Sequence, residues 1–200
     1  MFGEVLVDEL LDRVVSATSN SEFVDSSFPM LSEWGVRDED TLIHSLGCSY
    51  WMLLGHYLGF SGAVEIPAPL RYAERAKHDV RSDAVWFDKL TTKPVLVAEF
   101  ERYSGTNADQ EKLSGKVKNL LLAHQRWSTQ PELLVLAYWT QGLKAMPDHD
   151  ELRQLFSSGF TLANGDRVQG SNPKQLVMMN FVFDCDHQGS HKLIDVIERG

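Results

Sequence analysis

Apolar residues recur along this chain with two different periods, and the switches between them outline a fold. From Gly3 to Ser16, Val5, Leu6, Leu10, Leu11 and Val14 fall at helical spacing and predict an amphipathic helix. Thr18 to Pro29, with its Ser, Asn, Asp and Pro residues, reads as a loop. Beyond Gly35, the acids Asp38, Glu39 and Asp40 suit a helix N-terminus. Leu42, Ile43, Leu46, Tyr50, Leu53, Leu54 and Tyr57 then form a wide apolar stripe that stops near Gly59, as a long buried helix requires.

The period then shortens. Ala63 to Ile66 is a short strand closed by Pro67 and Pro69, and Arg71 to Lys77 fits a helical turn. Val80 to Phe87 and Val95 to Arg102 alternate and are rich in Val and aromatic residues, with a polar, proline-containing segment between them; a β-hairpin is the simplest account. Thr106 to Asp109 supplies caps for a helix from about Ala108 to Trp127, whose inner face carries Leu113, Val117, Leu120, Leu121 and His124. Leu133 to Trp139 is almost uniformly apolar, the mark of a strand covered on both faces. Asp148 to Phe156 reads as a helix, Phe160 to Val168 as a hairpin turning at Asn164-Gly165, and Gln175 to Phe183 as a last strand.

This order predicts an α/β fold with a mixed central sheet flanked by helices. At 200 residues the chain suits a single domain. Its core is expected at about 38–140, with an acidic helical extension at 1–37 and an α/β extension at 141–200.

Composition narrows the classes. No apolar run approaches the roughly 20 residues of a membrane-spanning helix, and the N-terminus lacks the basic cluster of a secretory signal, so a cytoplasmic protein with no membrane partner is expected. Two cysteines in different surroundings, Cys48 and Cys185, do not make a disulfide framework. The net charge of −9 argues at first against a nucleic-acid partner. Its distribution changes that: residues 1–66 hold 11 acidic and 2 basic residues, whereas Arg71 to Arg126 holds 11 basic and 8 acidic. An ordinary mixed surface and a phosphate-facing segment are both compatible with those counts.

Candidate chemistry centres on carboxylates. Two-residue alternation puts Val95, Val97, Glu99 and Glu101 on one face of their strand, and the hairpin brings Asp83 beside Glu99. Unit charges about 4 Å apart interact by roughly 4 kcal/mol at an effective dielectric near 20. Three such acids require a cation, a proton or a basic side chain to offset the repulsion, and oxygen ligands suit Mg2+, with Mn2+ able to substitute. The bland alternative is an exposed strand face with Glu99 and Glu101 paired to Arg81 or Arg102.

An Asp in one strand, a hairpin, an acid-x-residue motif in the next strand, then a helix and a buried strand resembles the PD-(D/E)XK nuclease superfamily, whose restriction-endonuclease-like core is αβββαβ. The resemblance covers about residues 38–140. It implies that Asp83 and Glu99 bind the metal and that Glu101 stands where the family usually has Lys. Ser82 replaces the motif Pro. Some members supply the lysine from the following helix, and Lys112 and Lys116 are the matching candidates.

The function so implied is a divalent-metal-dependent endonuclease hydrolysing DNA, with Asp83, Glu99, Glu101, Lys112 and Lys116 as catalytic candidates. The alternative is a nuclease-fold interaction module in a defence or mobile-element complex, its acidic N-terminal third docking a partner protein; a homodimer is a third arrangement. Asp184 to His191 gathers possible zinc ligands, with His187 and His191 four apart, but no second ligand cluster accompanies them and a polar loop is the better reading.

Overall fold

The computed structural model describes residues 2–38, 42–69 and 80–199. Its elements are α1 (Phe2–Thr18), α2 (Ser21–Ser27), a π-helical turn (Met30–Trp34), β1 (Val36–Arg37), α3 (Leu42–Tyr57), β2 (Ser61–Pro67), β3 (Arg81–Phe87), β4 (Pro94–Arg102), α4 (Asn107–Arg126), β5 (Leu133–Gln141), α5 (His149–Ser158), β6 (Phe160–Thr161), β7 (Arg167–Val168), β8 (Leu176–Cys185) and β9 (Ser190–Glu198). Seven strands form one sheet in the order β1-β9-β8-β5-β4-β3-β2. It is mixed: β4 with β5 and β5 with β8 are parallel, and the remaining pairs are antiparallel. The expected mixed α/β architecture is therefore present, as is the hairpin of β6 and β7.

Helices cover both faces, which explains the sequence of β5. Leu133, Val135, Ala137 and Trp139 pack into one core with residues of α1, α2 and α3, while Leu134, Leu136 and Tyr138 pack into a second core with α4 and α5. Each fully buried apolar side chain contributes about 1.5–3 kcal/mol, so neither face of β5 tolerates a polar residue cheaply. The same alternation assigns β4: Leu96, Ala98 and Phe100 face α3, and Val97 faces α4.

Small residues let α3 approach closely. A Cβ on Gly47 would overlap the Phe100 ring, and one on Gly55 would press on the Trp86 indole. Trp86 in turn donates its Nε1 hydrogen to the carbonyl of Trp51, 2.7 Å away. These contacts hold α3 directly over β3 and β4, where the acids lie.

Two expectations need correction. The segment expected as a loop at 18–29 contains α2, because Asn20 caps it by accepting from the N–H groups of Glu22 and Phe23, and Phe23 and Val24 are buried. Loop-forming residues here serve as a helix cap. Nor is the strand at β8 the last one. β9 follows and pairs with it antiparallel, and Asp186 closes the turn by accepting from Gln188 and Ser190. The polar Asp184–His191 segment is this turn and its flanking residues, as the polar-loop reading expected. Arg71 to Lys77 lies outside the described residues, and α3 is described from Leu42, with Asp38 accepting from the Ile43 N–H at 3.1 Å.

Candidate active site

The site forms where β3 parts from β4. The ladder pairs Trp86 with Leu96, Val85 with Val97 and Ala84 with Ala98, and there it stops. Two residues beyond Ala98, the Phe100 N–H donates to Asp83 Oδ2 at 2.7 Å. A side-chain oxygen thus satisfies a ladder donor that would otherwise be buried and unpaired. On the other side, β2 pairs Val64 with Ala84 and Ile66 with Ser82, so Glu65 lies opposite Asp83. Glu65 has φ 54°, a left-handed conformation unfavourable for a non-glycine residue within the edge strand.

Glu99 shares the α4 side of β4 with Val97 and is fully buried. Lys116, on α4, reaches both acids: its Nζ is 2.8 Å from Asp83 Oδ2 and 2.8 Å from Glu99 Oε2. Asp83 and Lys116 are themselves only 8% and 17% exposed at the side chain. Thr106 and Asp109 form a reciprocal capping box at the start of α4, fixing the helix that carries Lys116.

Electrostatics in this cluster are tightly coupled. Burial pushes the Glu99 carboxyl up to about 8, with Lys116 opposing and Asp83 reinforcing the shift. Burial would lower the Lys116 ammonium, but Glu99 and Asp83 together hold it above the ordinary lysine range. Lys116 therefore keeps its proton, and Glu99 is the group whose protonation is most open to change. The second oxygen of Glu99, Oε1, is buried and has no hydrogen-bond partner among the described residues.

A different pair approaches Asp83 from α3. His44 Nε2 lies 3.9 Å from Asp83 Oδ1, and Cys48 Sγ lies 3.7 Å from the same nitrogen. Burial and then Asp83 push the Cys48 thiol up to about 12, which disqualifies it as a thiolate nucleophile in this state.

The sequence candidates divide. Asp83, Glu99 and Lys116 come together. Glu101 is half-buried, and its Oε1 accepts from the Arg102 N–H at 2.9 Å. Lys112 is 57% exposed and pairs with Asp109 at 3.7 Å. Sequence reasoning treated the two lysines as equivalent, yet Lys116 stands three residues after Leu113 and four before Leu120, inside the apolar stripe. His44 belongs to no motif of the acid-bearing strands. Its signal was the four-residue spacing to Cys48 on a helix destined to cover the acid-bearing strands.

Two clefts open at the C-terminal ends of β4 and β5. One, of about 310 Å3, is lined by Arg102, Tyr103, Trp139, Thr140 and Lys144 among others; the second is lined by Arg37, Asp38, Arg102 and His191. Arg102 joins them: its guanidinium lies 5.0 Å above the Trp139 ring and 3.7 Å from Asp38. No family model matches this chain, and neither the curated proteins nor the solved structures provide a match.

Proposed function

We propose that the protein is a divalent-metal-dependent endonuclease that hydrolyses DNA phosphodiester bonds, built on a restriction-endonuclease-like αβββαβ core. The observation that carries this reading is one ammonium, Lys116 Nζ, held 2.8 Å from each of two carboxylates on adjacent strands. The element order α3, β2, β3, β4, α4, β5 and the parting of β3 from β4 at Asp83 support it.

The donor set fits Mg2+. Asp83 and Glu99 offer hard carboxylate oxygens, and Glu99 Oε1 is a buried acceptor with no partner among the described residues. Asp83 and Glu99 would hold the ion, which supplies charge neutralisation at the phosphate and a more acidic water. Asp83 is kept in place by the Phe100 N–H, so its carboxylate does not have to reorganise when substrate arrives. Lys116 stays protonated between its two acids and presents positive charge to the phosphate oxygens as negative charge grows there. Glu101, on the same strand face and half-buried, is the acceptor at the rim for a water proton. Lys112, paired with Asp109 and exposed, is given no role in this reading. Arg37, Arg102 and Lys144 line the two clefts joined by Arg102 and suit the DNA backbone, a phosphate replacing Asp38 beside Arg102.

The test is cleavage of supercoiled, linear duplex and single-stranded DNA in Mg2+ by the wild type, Asp83→Ala and Glu99→Gln, with folding verified by circular dichroism. Cutting by the wild type that is lost in both folded variants is the expected result. Equal cutting by all three refutes the assignment.

A further inference from the structure

We propose that His44, Cys48 and Asp83 form a second cation site, for a thiophilic divalent ion of the Zn2+ class. Ligand atoms of the three side chains all lie within 4.8 Å of one another, and no other His, Cys, Asp or Glu grouping among the described residues meets that condition. In a tetrahedral zinc site, Zn–N and Zn–O contacts near 2.0–2.2 Å and Zn–S near 2.3 Å place neighbouring ligand atoms about 3.4–3.6 Å apart. The observed separations of 3.7 Å (His44 Nε2 to Cys48 Sγ) and 3.9 Å (His44 Nε2 to Asp83 Oδ1) are within a few tenths of an ångström of that spacing. Small side-chain rotations would close the difference.

The backbone favours this arrangement. His44 and Cys48 are four residues apart on α3 and so lie on one helical face. That face is pressed against β4 by Gly47, where a Cβ would overlap the Phe100 ring, and His44 itself packs on Phe100 at 6.2 Å between ring centroids. Asp83 completes the trio from β3. Its two oxygens are divided between tasks: Oδ2 takes the Phe100 N–H and Lys116, leaving Oδ1 towards His44.

The ligand chemistry sets the ion. Cys48 would release its thiol proton on binding the ion and ligate as a thiolate, and a thiolate and an imidazole with a single carboxylate oxygen select zinc-like ions over Mg2+, whose preference is for oxygen ligands. Three protein ligands leave a fourth position open, and the His44 side chain, 32% exposed, marks the way in from solvent. This site shares Asp83 with the carboxylate and lysine cluster, but its assignment does not depend on the nuclease reading.

The test uses the full-length chain and Co2+ as the spectroscopic probe. The expected result is thiolate-to-cobalt charge-transfer absorption that saturates with added Co2+ and that Zn2+ bleaches, a band that Co2+ held by carboxylates alone does not give. Cys48→Ser should abolish the charge-transfer absorption and His44→Ala should weaken binding by about tenfold or more. Cys185→Ser should leave the charge-transfer titration unchanged, and because only the Cys48 sulfur gives that absorption, loss of DNA cutting in Glu99→Gln and loss of the cobalt band in Cys48→Ser are separate results. Absence of saturable charge-transfer absorption in the wild type overturns the proposal. So does charge-transfer absorption that survives in Cys48→Ser, or wild-type Co2+ affinity in folded His44→Ala.

Discussion

Replacing Lys116 with Met removes the ammonium while keeping most of the apolar stem, and it isolates what holds the acid cluster together. In the wild type, Lys116 Nζ sits 2.8 Å from both Asp83 and Glu99, and Glu99 is fully buried. Removing one partner of a buried ion pair costs about 3–5 kcal/mol, because the remaining charge has neither water nor a counterion. For a chain of this length each kcal/mol is about 2–4 °C in Tm, so a fall of roughly 6–20 °C is expected.

The deficit should also depend on pH. The Glu99 carboxyl is raised by burial to about 8, whereas an unfolded Glu titrates near about 4.3. A folded value above the unfolded one means that the native state holds the proton more tightly. The stability from this linkage is complete below about pH 4 and is lost as the pH climbs through about 8. Without Lys116, the cation that opposes the shift is gone, so Lys116→Met should be closest to wild type near about pH 5 and weakest near about pH 8. Urea unfolding followed by tryptophan fluorescence measures both quantities. Adding Glu99→Gln to Lys116→Met should flatten the pH dependence. A deficit under about 1 kcal/mol, the range of exposed pairs, would refute the buried-cluster account. A deficit equal at both pH values would refute the role given to Glu99.

Two further predictions concern the surroundings. Burial alone would raise the Asp109 carboxyl, but hydrogen bonds from Ser104 and Thr106 bring it down to about 2. Its contribution is present above about pH 4 and is lost as the pH falls through about 2, so Asp109→Asn should lose less stability on acidification than the wild type, read by acid titration of circular dichroism. The double variant Arg102→Ala/Lys144→Ala should weaken DNA binding and reduce the slope of log K against log salt by roughly 2, about 0.9 per phosphate contact, measured by fluorescence anisotropy at several salt concentrations. An unchanged slope removes these residues from the DNA surface.

Much of the architecture was legible because burial on two faces imposes strong periodicity. β5 betrayed its central place by being apolar throughout, and α4 by its stripe and its capping residues. α2 and β9 were not legible for a shared reason. Asn20 and Asp186 have side chains that serve caps and turns equally well, and which use applies depends on whether the next few residues find a core or a partner strand. The site was half legible. Strand alternation placed Glu99 and Asp83, but not the parting of β3 from β4 that lets Asp83 accept from Phe100. Alternation likewise put Glu101 on the correct face without revealing that its carboxylate turns to the Arg102 N–H. His44 was invisible for a physical reason: its meaning comes from α3 lying over β3, a contact that depends on Gly47 and Gly55, far from Asp83 in sequence.

The central claim, that Asp83 and Glu99 hold a divalent ion beside Lys116, is tested most directly by a crystal soaked in Mn2+ and measured at the manganese absorption edge. An anomalous peak within coordination distance of both carboxylates, about 2.0–2.3 Å, with the Lys116 ammonium nearby, is the predicted result. A crystal with no peak there, and Lys116 still bridging the two acids, would contradict it and leave the cluster as a buried ion pair that holds α4 to the sheet.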